Sequence, residues 1–332
     1  MVVTFGEMML RLSTQRFERL TQSHALDVNY GGSEANVAMA LAGFGMPCAH
    51  VTRLPQNALG QACAMKLQGH GVLVDRNIWG EGRLGTYYLE TGASPRASKV
   101  IYDRVNSAFS QLHGDMLNWN EIFSDASWFH FSGITPALSE ELESITLQAC
   151  REAHERGITV SCDLNVRKNL WSKEKAATVM GKILPYVDVL IANETQAASL
   201  FDLSALPSED DADYSACVAK QLHELFLPKT VALTRRRTFS AVETSFEAML
   251  YDGTQTAHSP CYRLQFVDRV GSGDAFSAGL IYALQKQYSL QDAVSFAAAA
   301  CAMKHSVPGD VLYATVSEVK AIAEGESTQI QR

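Results

Sequence analysis

The chain has no surplus of basic charge, no long apolar run and no paired cysteine motif, and each absence closes a class of function. Asp and Glu outnumber Lys and Arg by 36 to 28, a formal net charge of −8. Binding along a nucleic-acid backbone needs the opposite balance, so no nucleic-acid partner is expected, although a local basic pocket for a small anion stays open. The longest Ala-rich apolar run, Phe296 to Met303, is far too short to cross a bilayer. The opening MVVTFGEMMLRL lacks a charged lead followed by a long apolar stretch, so neither a membrane association nor a signal peptide is expected. The cysteines at 48, 63, 150, 162, 217, 261 and 301 are scattered, odd in number and without a C-x-x-C pair. Most sit in apolar contexts, as free thiols of a soluble protein in a reducing cytoplasm do. Internal repeats and low-complexity tracts are also missing.

What is present is a chain able to bury a core. Hydrophobic residues make up 47% and charged residues 19% of 332 positions, room for one large α/β domain or two small ones. Short β-rich runs at Val2–Gly6, Ala49–Arg53, Trp128–Ile134, Thr159–Asn165, Val187–Ala192 and Val231–Thr234 alternate with helical patterns. In Ser139 to Arg156, for example, Leu142, Ile145, Ala149 and Ala153 recur at helical spacing before the stop at Gly157. Such alternation predicts a mainly parallel sheet flanked by helices, with ligands outside the carboxyl ends of its strands. The last third, from Gly273, is mostly helical. Two stretches break the rhythm, residues 11–30 and 84–107, the second reading as strands Gly85–Glu90 and Lys99–Val105 around GASPRAS. Together they read as a small β lid on the main domain, with ordinary surface hairpins as the alternative.

The densest chemical signal is Asp268-Arg-Val-Gly-Ser-Gly-Asp-Ala-Phe276, which leads into a helical run. Gly271, Ser272 and Gly273 allow a tight turn whose amides point one way, an anion-binding nest at a helix N-terminus. Asp274 would repel an anion there, and makes sense as a base that takes a proton from a hydroxyl attacking a phosphate. A first-turn carboxylate stabilised by the helix dipole is the alternative. The spacing is neither G-x-G-x-x-G nor a Gly-rich loop ending in Lys-Ser/Thr. Upstream, Tyr30-Gly31-Gly32-Ser33-Glu34-Ala35-Asn36 opens a helix to about Phe44. Ser33 is its expected N-cap and Glu34 suits the dipole. Asn36, an amide among small residues, needs partners that a polyol would supply. Asp163, Asn165 and Arg167 alternate at the end of a buried run, which places them on one face of an extended chain.

The stretches GGSEANVAMALAGFG (31–45) and DRVGSGDAFSAGL (268–280) resemble the two signature regions of the ribokinase-like (PfkB) carbohydrate kinases, and the likeness extends over essentially the whole chain. Within that family Gly85–Glu90, Val100–Arg104, Phe131–Ala137, Asp163–Arg167 with Leu170-Trp171, and Pro308–Asp310 are most similar to 2-keto-3-deoxygluconate kinases. The resemblance implies a single ribokinase-like domain over 1–332. It also implies ATP-dependent phosphorylation of the terminal hydroxyl of that sugar acid, with Mg²⁺ and with Asp274 as base beside the amides of Gly271, Ser272 and Gly273. By the same likeness Gly32, Tyr87, Tyr102, Arg104, Arg167 and Asp310 touch substrate, with Asn36 beside them. Asn165, Asn193, Thr234, Arg236, Gly271 and Gly273 are expected at the nucleotide. Two arginines, Arg104 on the lid and Arg167 on the main sheet, would grip a carboxylate when the lid closes.

The chain departs from the family pattern in three places. Asn193-Glu-Thr-Gln196 ends in an amide where the family usually has a carboxylate linked to Mg²⁺, which leaves Glu194 as the candidate metal ligand. Arg235-Arg-Arg237 replaces a Gly-containing loop, and is read either as neutralising ATP phosphates or as a solvated strand end. Arg269 stands where Thr is more usual. A kinase of a neutral ketose and a non-catalytic sugar-binding protein are the alternatives, and open lid strands could pair two copies.

Overall fold

The computed structural model describes residues 1–204, 207–208 and 213–325. Its strands, in chain order, begin with β1 (Val2–Phe5), β2 (Met9–Thr14), β3 (Leu26–Gly31), β4 (Cys48–Val51) and β5 (Arg53–Pro55). Next come β6 (Ile78–Gly80), β7 (Thr86–Glu90), β8 (Lys99–Asp103), β9 (Trp128–Ser132) and β10 (Thr159–Asp163). The last are β11 (Val189–Asn193), β12 (Thr230–Ser240), β13 (Glu243–Tyr251), β14 (Thr256–His258) and β15 (Tyr262–Gln265).

The main sheet runs in the order β14-β13-β12-β11-β10-β9-β1-β4, with β15 added to β13. From β4 to β12 every pairing is parallel; β13 to β15 attach antiparallel. Strands β1, β4 and β9 are buried at every position, which requires helices on both faces and accounts for their unbroken apolar character. One face carries the helices Ser33–Gly43, Ser272–Gln285 and Leu290–Lys304. The other carries Glu140–Glu155, Lys173–Ile183 and Tyr214–Phe226. Alanine and glycine let Ser272–Gln285 lie close to Leu290–Lys304: a Cβ on Gly279 would come within 2.9 Å of Ala297 Cα.

The stretches 11–30 and 84–107 contribute to a separate sheet ordered β3-β2-β7-β8. Its β7 alternates between buried and half-buried, whereas β8 is exposed throughout, the pattern of a sheet with one covered face. Because the central strands are parallel, the chain ends of β1, β9, β10 and β11 collect at one end of the main sheet. The β3-β2-β7-β8 sheet sits over that end, and its residues and the strand ends line one cleft of about 970 Å³.

Candidate active site

Asp274 lies in the first turn of Ser272–Gln285, whose N-cap is Gly271 at φ +80°. Glycine is needed there twice, for the left-handed backbone and because a Cβ would fall 1.8 Å from the Asp310 carbonyl oxygen. The Asp274 carboxylate accepts hydrogen bonds from Ser33 Oγ at 2.8 Å and Asn36 Nδ2 at 2.7 Å. Burial raises its pKa, and these two bonds and Arg167 pull the other way. Asn36 is oriented in turn by the Gly32 amide, which donates to its Oδ1 at 3.3 Å. So the two helix N-termini that carry the signatures, one from each, meet at a single carboxylate.

The expected N-cap role of Ser33 is corrected: Gly32 occupies the cap with no side-chain bond, and the Ser33 hydroxyl is spent on Asp274. Glu34 does more than face the dipole. It is buried and accepts from the Ser132 amide at 3.0 Å, Ser132 Oγ at 2.6 Å and Thr135 Oγ1 at 2.9 Å, tying the helix start to the end of β9. The single-face alternation of Asp163, Asn165 and Arg167 also fails as geometry, since β10 ends at Asp163 and Asn165 has φ +34°. All three nevertheless line the cleft. Asp163 accepts from the Asn165 amide at 3.1 Å; burial, then the neighbouring Asp274, raises its pKa to about 7.

On the side of the β3-β2-β7-β8 sheet, Tyr87 donates to Asp310, and both are buried. Asp310 also pairs with Arg11 at 3.3 Å, and the same guanidinium bonds Asp268 at 2.6 Å. Asp268 accepts from the Val270 and Gly309 amides at 3.0 Å each. Arg11, on β2, thereby ties the β3-β2-β7-β8 sheet to the loops on either side of the Gly271 turn. It escaped the sequence reading, although an arginine sharing an alternating strand face with Met9 and Ser13 was a signal of it. Arg104 lies past the end of β8, its guanidinium 5.9 Å from the centre of the Tyr102 ring. Arg104, expected to share a substrate carboxylate with Arg167, or alternatively to form an ordinary salt bridge, is held in an ion pair with Glu7. Its Nε donates to Glu7 Oε2 at 2.8 Å, and Nη2 donates to the same oxygen. Nη1 has no hydrogen-bond partner among the described residues, and Glu7 Oε1 is buried without one. Glu7, just beyond β1, was not foreseen.

The third side of the cleft is formed by Asn193, Thr234 and Arg236 with the turn at 271–273. Here the three arginines part company, because β12 continues through them as a strand paired with β13. Adjacent side chains therefore leave on opposite faces. Only Arg236 of the three lines the cleft, and its Nη2 donates to Ser272 Oγ at 3.0 Å. Arg235 turns away to Glu194 and Glu247. This removes Glu194 as the metal ligand: it is buried, with one carboxylate oxygen on Arg235 and the other on Ser215. Among the described residues no group of three or more His, Cys, Asp or Glu could hold a metal ion. The donor set here does not fit a protein-held divalent ion.

Every other residue singled out from the sequence, from Gly32, Asn36, Tyr87 and Tyr102 to Arg167, Asn165 and Asp310, borders this cleft. A family model for pfkB carbohydrate kinases matches residues 1–312.

The chain belongs to the pfkB carbohydrate kinase family.

This sugar kinase is 34% identical to the 2-dehydro-3-deoxygalactonokinase of Haloferax volcanii, over 100% of this chain and 99% of that protein. It is 27% identical to the 2-dehydro-3-deoxygluconokinase of Bacillus subtilis, over 93% of this chain and 90% of the relative. Its fold superposes on the crystal structure of a 2-dehydro-3-deoxygluconokinase from Thermotoga maritima with a TM-score of 0.95 at 44% identity. That match covers 98% of this chain and 99% of the other. The kinase therefore has the ribokinase-like α/β fold over nearly its whole length. None of its described helices is long and apolar enough to cross a membrane.

Proposed function

We propose that this kinase transfers the terminal phosphoryl group of ATP, delivered as Mg-ATP, to the terminal hydroxyl of 2-keto-3-deoxygluconate or its galacto epimer. The products are the 6-phosphate of the keto-deoxy acid and ADP. The observation that carries the reading is the Asp274 carboxylate, held by Ser33 and Asn36 over the Gly271–Gly273 turn in a cleft that Arg167 also lines. Asp274 takes the proton as the hydroxyl oxygen bonds to phosphorus and the bond to ADP breaks. The amides of residues 271–274 face the charge on the transferred group, and such fixed donors usually contribute more than the base. Arg167 holds the substrate carboxylate, assisted by Arg104 through its unpaired Nη1, while Tyr87, Tyr102, Gly32 and Asp310 shape the sugar side. Asn165, Asn193, Thr234 and Arg236 border the nucleotide. The relatives' names, one galacto and one gluco, support the acid class and leave the epimer to experiment.

A neutral ketose is the second reading, favoured by one observation: Glu7 offsets the charge of Arg104. Self-association through the open edges β3 and β8, where Val28, Val100 and Ile101 are exposed, belongs to the same proposal, as does a cytoplasmic location for a chain with seven free cysteines. Sedimentation at several concentrations tests the first of these, a constant monomer mass counting against it. The deciding experiment is coupled ADP release with Mg-ATP and a panel of the two keto-deoxy acids, gluconate, fructose and ribose. Turnover confined to the keto-deoxy acids is the expected outcome. Preference for fructose or ribose would overturn the substrate while leaving the kinase intact.

A further inference from the structure

Three guanidinium groups, those of Arg167, Arg236 and Arg269, line the cleft beside the Gly271 turn. None of them forms a salt bridge among the described residues, although Arg167 lies near enough to Asp163 and Asp274 to act on both electrostatically. Other arginines of the chain do form one: Arg11, Arg83, Arg96, Arg104, Arg235 and Arg263 each pair with a carboxylate. The carboxylate nearest in sequence, Asp268, does not serve Arg269, because its oxygens bond Arg11 and the amides of Val270 and Gly309. Partial burial in the cleft wall, then the proximity of Arg236 and Arg167, lower the pKa of the Arg269 guanidinium. Like charges held this close are unfavourable unless an anion joins them, so the cluster is arranged for a multiply charged ligand. Arg236 is held in place by Ser272 Oγ at 3.0 Å and by the Phe246 ring, 5.6 Å from its guanidinium carbon to the ring centre. On the same side of the cleft the carboxylate that could organise a metal is missing. Position 196 is an amide, and Glu194 faces Arg235 and Ser215.

We infer that Arg236 and Arg269 form a polyphosphate-binding pair that neutralises the nucleotide's phosphates without a protein-bound metal. Magnesium then enters only as the chelate on ATP. The inference rests on ATP as the phosphoryl donor and is independent of which sugar is phosphorylated. It gives Arg269 a task that the sequence left open, and it separates Arg236 from its strand neighbours Arg235 and Arg237.

The test is calorimetric titration of the full-length protein with tripolyphosphate in excess EDTA, and again with equimolar Mg²⁺. The wild type is expected to bind the metal-free anion, with affinity that falls steeply as salt rises. Arg269→Gln and Arg236→Gln should each weaken binding at least tenfold. Arg83→Gln, which touches only the exposed Asp103 and the Val105 carbonyl, should leave it unchanged. Thermal melting checks folding, and because Arg269 makes no side-chain hydrogen bond among the described residues, its variant decides the matter if Arg236→Gln is unstable. Wild-type binding that requires Mg²⁺, or an Arg269→Gln protein that binds as the wild type does, would overturn the inference. No sugar is present in this assay. A protein that binds tripolyphosphate as described yet phosphorylates none of the sugar panel refutes the substrate assignment alone.

Discussion

Replacing Asp274 by Asn separates the proposed base from everything else in the site. The side chain keeps its shape, and the two bonds it makes can both be rebuilt. The amide oxygen accepts from Asn36 Nδ2 as the carboxylate does, and the new NH₂ donates to Ser33 Oγ once that hydroxyl rotates to accept. The Gly271–Gly273 amides and the arginines stay where they are, so substrate and nucleotide should still bind. A positioned general base contributes about 10²–10⁴-fold, and the loss should appear in kcat as about 3–5 kcal/mol of barrier at roughly 1.4 kcal/mol per decade, with KM changed less than about threefold. Stability should move the other way. Burial raises the folded pKa of Asp274, so its ionisation costs the native state stability as pH climbs above the unfolded value near 4. The Asn variant carries no such cost. Its melting temperature should equal or exceed the wild type's at pH 7, and the gap should close as pH falls toward 4. Coupled ADP release gives the first quantity and scanning calorimetry the second. A variant with kcat within tenfold of wild type would refute Asp274 as the base, and a clear loss of stability at pH 7 would refute the account of its environment.

Two further outcomes follow from the same geometry. Asn36→Ala removes one of two hydrogen bonds to a charged oxygen, worth about 1.5–3 kcal/mol; the Asp274 pKa should rise further, so the acid limb of the kcat/KM profile should shift to higher pH, and an unshifted limb counts against the contact. Glu194→Ala should lower stability by less than the roughly 3–5 kcal/mol that follows when a buried charge is left unpaired, because Arg235 keeps Glu247 and Ser215, while leaving the Mg²⁺ concentration for half-maximal rate unchanged; a raised Mg²⁺ requirement would restore Glu194 as a metal ligand.

Local pattern carried the sequence reading a long way. The unbroken apolar runs of β1 and β9 marked strands covered on both faces, and the break in rhythm at 11–30 and 84–107 marked the second sheet. Gly271 and Asp274 were legible because a tight turn at a helix start demands glycine, and a carboxylate beside an anion nest is chemically out of place. These are statements about neighbours in the chain, and periodicity and turn chemistry report on neighbours.

Pairings between distant residues were decided only by the tertiary structure. Arg11 meets partners 257 and 299 positions away, Arg104 meets Glu7 across 97, and Ser33 meets Asp274 across 241. No spacing rule encodes such pairs, because each depends on where the sheet order brings two loops. The three arginines at 235–237 show the boundary most plainly. Their charge was visible in the sequence, but which of them faces the cleft depended on β12 running on as a strand paired with β13, which turns Arg236 inward to the cleft and commits Arg235 to Glu194. Sequence by itself determined the layers, the turn and the place of the Asp274 carboxylate. The assembled fold determined which charges are already neutralised and which remain for a ligand, because a charge's partner is set by position in space and not by position in the chain.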